Sequence, residues 1–416
     1  MSLISVNEAL NLLLAKFSSV KTEDMLLEKA AGRVLSRNIK SNVDLPLFTN
    51  SSMDGFAVRA EDLHEAKPDN PIELRIVEDI PAGKYPVREV GKKQASRIMT
   101  GAPLPNGADT VVPVEDTDQY ELESLHGAAL PERIKVFRSL ERGDYLRQKG
   151  EDVKSNEIVL DANHQLRPQD VGLLAMLGIA QVPVFCHPRI AILSTGDELV
   201  PLNVPLELGK IHDSNAYSLS GLITRDGGEA IYLGIIPDRE QAVREALNQA
   251  VNINADLILS SAGVSVGAFD FVKKVVQSEG SLDLWRVNMR PGKPIAFGNY
   301  RGTQFIGLPG NPVSAFVGYE VFVRPVIRKL AGYGEFPRRS EKVKIVEDIS
   351  SDGRENYLRA LVEEKDGVKE ARLTGHQGSG NLLSLVQANA LLIIPSGVKS
   401  LPSGEIVDAW MINSTW

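Results

Sequence analysis

Carboxylates, glycines and cations gather at the ends of several short apolar runs. Leu257-Ile-Leu-Ser-Ser261 passes through Ala262-Gly-Val-Ser-Val-Gly267 to Asp270, where an amphipathic segment begins. Glycines there let a backbone approach a ligand, and a helix start offers unpaired N–H groups to an anion. The same pattern suits a plain strand-to-helix turn capped by Asp270. Asp197 and Glu198 follow Ser194-Thr-Gly196 directly, and Asp238 follows the next apolar run. Several carboxylates at strand ends suit a hard, oxygen-liganded cation such as Mg2+. Asp238 also stands three residues before Gln241, the spacing of a capping box. Opposite charge comes from Met289-Arg-Pro-Gly-Lys-Pro294, where Arg290 and Lys293 sit in a loop stiffened by prolines. Such cations suit a clamp for a phosphate or another oxyanion, or are solvated loop charges. Leu308-Pro-Gly-Asn-Pro312 leads into a helix whose first turn carries Ser314, with N–H groups expected to be free. Earlier, Ser51, Ser52 and Asp54 flank Gly55. They fit either a polar site at a tight turn or an Asx-type turn without chemistry.

The elements that must position these residues follow from hydrophobic periodicity. From Arg189, apolar strands at 190–193, 230–233, 257–259, 284–287 and 305–308 alternate with helices expected near 215–225, 239–252, 270–279 and 313–330. That rhythm predicts a mostly parallel, doubly wound sheet with ligands beyond the carboxyl ends of its strands. Upstream, Ser5-Val-Asn-Glu8 opens an early helix, 26–31 suggests a second and 168–177 a third. Strand-like runs at 73–77, 95–100, 110–114 and 134–137, separated by proline and glycine turns, predict a β-rich insertion. After Gly332, runs at 342–346, 357–362, 390–394 and 405–407 predict a small β domain. Its polar features are Arg354, Arg359 and the loop Thr374-Gly-His-Gln-Gly-Ser-Gly380. The expected fold is thus α/β and multidomain. Residues 1–45 with 145–180 form a linking region, 46–144 a β-rich inserted domain, 181–332 the doubly wound domain and 333–416 a C-terminal β domain.

Composition narrows the function classes. The chain has 416 residues, 43% hydrophobic and 24% charged, as expected of ordinary globular domains. A net charge of −8 argues against a nucleic-acid partner. No apolar run approaches the ~20 residues of a bilayer span, so no membrane partner is expected. The N-terminus lacks the basic and apolar regions of a signal peptide. The single cysteine, Cys186, has apolar neighbours and cannot form an internal disulfide, which fits a reducing, cytoplasmic setting. The histidines are scattered without metal-ligand spacing.

Six motifs in order carry a resemblance. They are Ser51-Ser-Met-Asp-Gly-Phe-Ala57, Thr100-Gly-Ala-Pro-Leu-Pro105, Ser194-Thr-Gly-Asp-Glu-Leu199, Ala262-Gly-Val-Ser-Val-Gly267, Met289-Arg-Pro-Gly-Lys-Pro294 and Gly307-Leu-Pro-Gly-Asn-Pro-Val-Ser314. Together they resemble the molybdopterin molybdenumtransferase family, which includes the E domain of gephyrin, over essentially the whole chain. The resemblance implies that adenylylated molybdopterin binds with Mg2+, molybdate enters at the dithiolene sulfurs, and AMP leaves as molybdenum cofactor forms. It also implies an elongated homodimer, with a molybdopterin adenylyltransferase as the upstream partner. In that dimer the site lies between the doubly wound domain of one subunit and the N-terminal and C-terminal β parts of its partner.

By the same resemblance, Asp54, Thr100, Glu198, Asp238 and Asp270 are catalytic positions. Asp197 and Asp270 serve the metal or phosphate cleavage, and Asp54 completes the site from the other subunit. Arg290, Lys293 and Ser314 match oxyanion contacts. Ser265, Gly267, Arg354 and Ser379 are further substrate positions, with Pro309 and Pro312 shaping the pocket. Three departures stand out: Phe56 where many relatives have Tyr, Ala262 where a glycine is frequent, and Arg290 where Lys is frequent. Arg290 keeps the charge but changes the donor geometry. A molybdopterin adenylyltransferase-like or hydrolytic nucleotide enzyme would need little beyond the doubly wound domain, so the β domains and Ser51-Ser-Met-Asp54 count against it. A gephyrin-like scaffold is disfavoured because no adenylyltransferase domain is expected ahead of the first motif.

Overall fold

The computed structural model describes residues 3–120, 129–261, 269–334 and 338–412. The chain divides into two compact units: residues 1–37, 162–168 and 181–416 in one, 38–161 and 169–180 in the other. No helix among the described residues is long and apolar enough to cross a membrane.

The larger unit is built on one sheet. Its strands are β1 (Arg189–Thr195), β2 (Glu229–Ile236), β3 (Leu257–Ser261), β4 (Gly280–Arg286), β5 (Pro294–Tyr300) and β6 (Thr303–Leu308). Their spatial order is β2-β1-β3-β6-β5-β4. Pairings from β2 to β6 are parallel, and β5 and β4 close the edge antiparallel. Helices α1 (Asn215–Arg225), α2 (Glu240–Asn252), α3 (Phe269–Ser278) and α4 (Pro312–Gly318) connect or follow these strands. Alternate residues of one strand point to opposite faces, and both faces are apolar here. Ile190 and Ile192 pack with Leu219 and Ile223 of α1, whereas Ala191 and Leu193 pack with Leu247 of α2 and Val275 of α3. That double burial is what makes the sheet doubly wound.

Three local expectations differ from the structure. β5 follows the proline loop directly; Pro294 occupies its first position, where a missing N–H costs least. The segment 26–31 is a strand, Thr22–Leu26, then a single 3₁₀ turn, because Thr22–Leu26 pairs with Gln181–Phe185. The last helix is broken by a π turn, Tyr319–Val323, before α5 (Arg324–Leu330). Glu320 in that turn is buried and pairs with Arg225 at 3.0 Å and with Arg338.

The C-terminal strands, Ser340–Ile345, Glu355–Lys365, Val368–Leu373, Ala390–Ile394 and Ile406–Met411, form a closed ring, since Glu355–Lys365 pairs with both Val368–Leu373 and Ala390–Ile394. The short strand Met289–Arg290 adds to it in parallel beside Glu355 and Asn356. The segment that carries Arg290 is therefore stitched to the C-terminal barrel.

In the smaller unit, strands Thr110–Pro113, Gly55–Val58, Gln94–Ile98, Ile72–Ile80 and Arg133–Val136 lie side by side in that order. Gly55 is required by close approach: a Cβ there would sit 2.0 Å from the Val112 carbonyl oxygen. Phe56 is fully buried in this core with Leu74 and Val112, so its ring contributes packing.

Leu259, fully buried in central strand β3, tests the sheet's role. Leu259→Ala is expected to cost about 2–5 kcal/mol, read as a lower denaturation midpoint with an unchanged slope.

Candidate functional site

The carboxyl ends of β1 and β3 are polar and incompletely bonded. Ser194 Oγ and Ser261 Oγ share a hydrogen bond of 2.9 Å, but the buried Thr195 and Ser260 hydroxyls have no partner among the described residues. Asn215, at the first position of α1 and only 7% exposed, donates from Nδ2 to the Gly310 carbonyl at 2.7 Å. Its Oδ1 is buried and has no partner among the described residues, and the same holds for Oδ1 of Asp238. Unpaired buried polar atoms are uncommon because each forfeits its bonds to water. Four of them, on Thr195, Asn215, Asp238 and Ser260, lie at or just beyond strand ends, where open α/β sheets bind ligands.

Asp238 is not a helix cap. Arg239 is the N-cap of α2, and the Gln241 amide bonds to Glu245 instead. The Asp238 backbone N–H donates to Asp197 Oδ1 at 3.3 Å. Burial first, and then the nearby Asp197 and Glu198 carboxylates, push the Asp238 carboxyl above its usual range. Asp270 lies inside the first turn of α3 rather than ahead of it. Ser265, Gly267 and the departure at Ala262 lie outside the described residues, as does the Asp270 side chain. Among the described residues, no group of three His, Cys, Asp or Glu is placed to hold a metal ion.

A second feature is a cavity of about 540 Å³ against the C-terminal barrel. Arg290, Lys293 and Ser314 line one side; Arg354, Arg359, Gln377 and Ser379 line the other. Gly292 makes the proline loop possible: its φ is +94°, and a Cβ would already touch the Ser314 carbonyl at 3.4 Å. Arg359 is 1% exposed, yet its guanidinium meets only neutral acceptors. Nε donates to Ser384 Oγ at 3.0 Å, and Nη2 to the carbonyls of Gly378 at 3.1 Å and His376 at 3.4 Å. Desolvation lowers its pKa to about 10, so it stays cationic near neutral pH. Lys293 likewise has no ion-pair partner among the described residues. Arg354 is different: Nε and Nη2 hold Asp352, and Nη1 holds the Met289 carbonyl at 3.1 Å.

The turn Pro309–Pro312 joins the two features. Asn215 holds Gly310, while Asn311 Nδ2 donates to Ser379 Oγ at 3.0 Å. The Val313 N–H donates to the Ser379 carbonyl at 3.1 Å. That donor, expected to be free at the helix start, is thus occupied.

In the smaller unit, Asp54 and Thr100 meet. Asp54 Oδ1 accepts from both the backbone N–H and Oγ1 of Thr100, each at 2.7 Å. Ser51 Oγ donates to the Met53 carbonyl and accepts from the Met53 N–H, the local turn anticipated for it. Thus the serine shapes the loop, and the exposed carboxylate is left at its tip.

Residues 4–178 match the family described as the MoeA N-terminal region (domain I and II), 191–329 the probable molybdopterin binding domain and 342–412 the MoeA C-terminal region (domain IV). The molybdopterin molybdenumtransferase of Nostoc is 38% identical, over 97% of this chain and 92% of that protein. The molybdopterin molybdenumtransferase of Bacillus subtilis is 35% identical, over 98% and 94%. The chain belongs to the molybdopterin molybdenumtransferase family. A crystal structure of the molybdopterin biosynthesis moeA protein from Pyrococcus horikoshii matches it with a TM-score of 0.82 at 33% identity, covering 99% of this chain and all of that one.

Within this member of the molybdopterin molybdenumtransferase family, the structure gathers Arg290, Lys293, Ser314, Arg354 and Ser379, which lie far apart in sequence, at one cavity. Asp197, Glu198 and Asp238 form a separate acidic patch beyond β1 and β2, linked by the bond and charge effects described above. Pro309 is buried at the turn between the two features and Pro312 opens α4. Two further residues belong to these features: Arg359, read in the sequence only as a polar feature of the C-terminal domain, and Asn215, which the sequence does not single out. Arg359 had a signal: a charge at the centre of Tyr357-Leu-Arg-Ala-Leu-Val362 must be buried with partners or serve a ligand. Asn215 had none, since an amide at a helix start is ordinary.

The raised Asp238 pKa makes a stability prediction. The folded state holds this proton to higher pH than the unfolded state, so stability falls as pH rises from the unfolded value through the folded one. Asp238→Asn should therefore raise the Tm of the ligand-free protein, more at pH 7.5 than at pH 4.5. Equal or lower Tm at both would contradict that assignment.

Proposed function

We propose that this chain inserts molybdenum from molybdate into adenylylated molybdopterin, releasing AMP and forming molybdenum cofactor. The observation that carries this reading is the charge state of the cavity. Arg359 is buried against neutral acceptors and Lys293 faces the same space without an ion pair among the described residues, an arrangement that suits a tetrahedral oxyanion. Ser314 and Ser379 add hydroxyls at the same walls. Molybdate is such an ion.

The unpartnered atoms of Thr195, Asn215 and Ser260 support placing the pterin-nucleotide at the strand ends. The Pro309–Pro312 turn then sets the dithiolene beside the oxyanion seat. Asp197, Glu198, Asp238 and Asp270 would work on the phosphate side. Their oxygen donors suit Mg2+, which needs only one or two carboxylates when substrate phosphates and waters complete its shell. Asp197 and Asp270 would hold such an ion, and it would offset charge developing on the phosphate linkage. We also propose a homodimer in which Asp54, set by Thr100, completes the partner's site. An adenylyltransferase would act upstream to supply the substrate, in a reducing, cytoplasmic setting that suits a dithiolene.

AMP release from adenylylated molybdopterin, measured with and without molybdate and Mg2+, tests the proposal. Release should depend on molybdate. Arg359→Met should raise the molybdate concentration for half-maximal rate by about tenfold or more, the equivalent of one lost charged hydrogen-bond donor. Asp54→Asn keeps an acceptor for Thr100, so its loss of rate should come with little change in Tm. Release that needs no oxyanion would instead identify a nucleotide hydrolase. Substrate binding without release, together with saturable binding of a receptor-loop peptide, would identify a scaffold.

A further inference from the structure

The cavity's cations are not equally available, and the difference traces to one carboxylate. Asp352 precedes the barrel strand that carries Arg359, and it meets two guanidinium groups. Arg354 binds it firmly: Nε donates to Oδ2 at 3.0 Å, Nη2 to the same oxygen at 2.5 Å, and the Arg354 backbone N–H to Oδ1 at 3.2 Å. With Nη1 on the Met289 carbonyl, Arg354 is itself tethered. Arg290 comes last. A single Nη1 reaches Oδ2 at 3.5 Å, beyond the usual 2.7–3.2 Å range, at an oxygen already holding two donors.

We infer that Asp352 is a displaceable internal counter-ion of Arg290, giving up that guanidinium when a tetrahedral dianion enters the cavity. The inference rests on the oxyanion reading of the cavity given above. Three observations support it. Arg290 and Asp352 are substantially exposed, and ion pairs of that kind contribute little, so the exchange costs little. Asp352 stays in place after the exchange because Arg354 and the backbone hold it. Finally, a dianion can take two donors from Arg290 where Asp352 takes one long contact. The carboxyl titrates near 2, chiefly because of the Arg354 bond, so the competitor is ionised at any working pH.

In the empty cavity the pair limits repulsion between neighbouring cations. Its consequence is weaker ligand binding, because the entering anion must displace Asp352 from Arg290. A carboxylate whose task was to orient Arg290 for the ligand would have the opposite effect on affinity. Substitution separates the two.

The test is molybdate binding by calorimetry at low ionic strength, using the full chain. Asp352→Asn retains an acceptor for Arg354 and removes only the charge. It should tighten molybdate binding by roughly fivefold, the worth of an exposed ion pair, with a smaller gain at high salt. In an Arg290→Met background the same substitution should give little or no gain. Unchanged or weaker binding in Asp352→Asn would overturn the inference, as would a gain that persists undiminished without Arg290. If the wild-type protein bound no molybdate, the oxyanion reading would fall and this inference with it. Wild-type binding that Asp352→Asn leaves unimproved would overturn the counter-ion role alone.

Discussion

The turn Pro309–Pro312 is held from two directions, and the functional geometry depends on that restraint. From the doubly wound sheet, Asn215 donates to the Gly310 carbonyl; from the C-terminal barrel, Ser379 takes the Asn311 amide and the Val313 N–H. A short segment with a proline at each end has few conformations to lose. Pinned on both sides, it keeps the strand-end cleft and the basic cavity at a set separation. Parallel pairing of Met289–Arg290 with Glu355 and Asn356 makes a second tie between the same two parts. The strand ends and the basic cavity are therefore joined without a loose segment between them.

Charge is distributed over the site in a way that separates tasks. Carboxylates gather beyond β1 and β2, where Asp238 is left desolvated and close to two like charges. Cations gather at the barrel, where Arg359 is desolvated and, among the described residues, has no opposing carboxylate. Both arrangements are unfavourable in the empty protein, and both become favourable with a ligand of the opposite character. The core supplies the stability that tolerates them: two apolar layers against the sheet, and a buried Arg–carboxylate network around Glu320 and Asp226. Exposed pairs such as Arg290–Asp352 can exchange partners, while the buried network cannot do so cheaply.

Much of this was legible in the sequence because it depends on period and punctuation. Alternating apolar strands and helices after Arg189 indicated the doubly wound sheet, and both of its apolar faces follow from runs such as Ile190–Leu193. The proline loop, its two cations and Ser314 were visible as residue types, and they do share a cavity. What escaped notice depends on long-range pairing. Nothing local shows that 22–26 will pair with 181–185 and become a strand. Strand Val368–Leu373 was overlooked although the Asp366-Gly367 turn, with positive φ at both residues, is a strong hairpin signal. The cap that its spacing allows Asp238 falls to Arg239, because spacing alone does not say which residue begins the helix. Arg359 differs from Arg354 at the cavity by lacking a carboxylate partner among the described residues, and that depends on tertiary pairing that no local pattern encodes.

The position of the bound oxyanion is the most direct test of the basic cavity's role. Crystals grown with tungstate, a heavy analogue of molybdate, would report its position by anomalous scattering. A tungsten peak is expected in the cavity, with oxygens within hydrogen-bonding reach of Arg359, Lys293 and Ser379. A peak only at the acidic strand ends, or none with the protein saturated in solution, would contradict it.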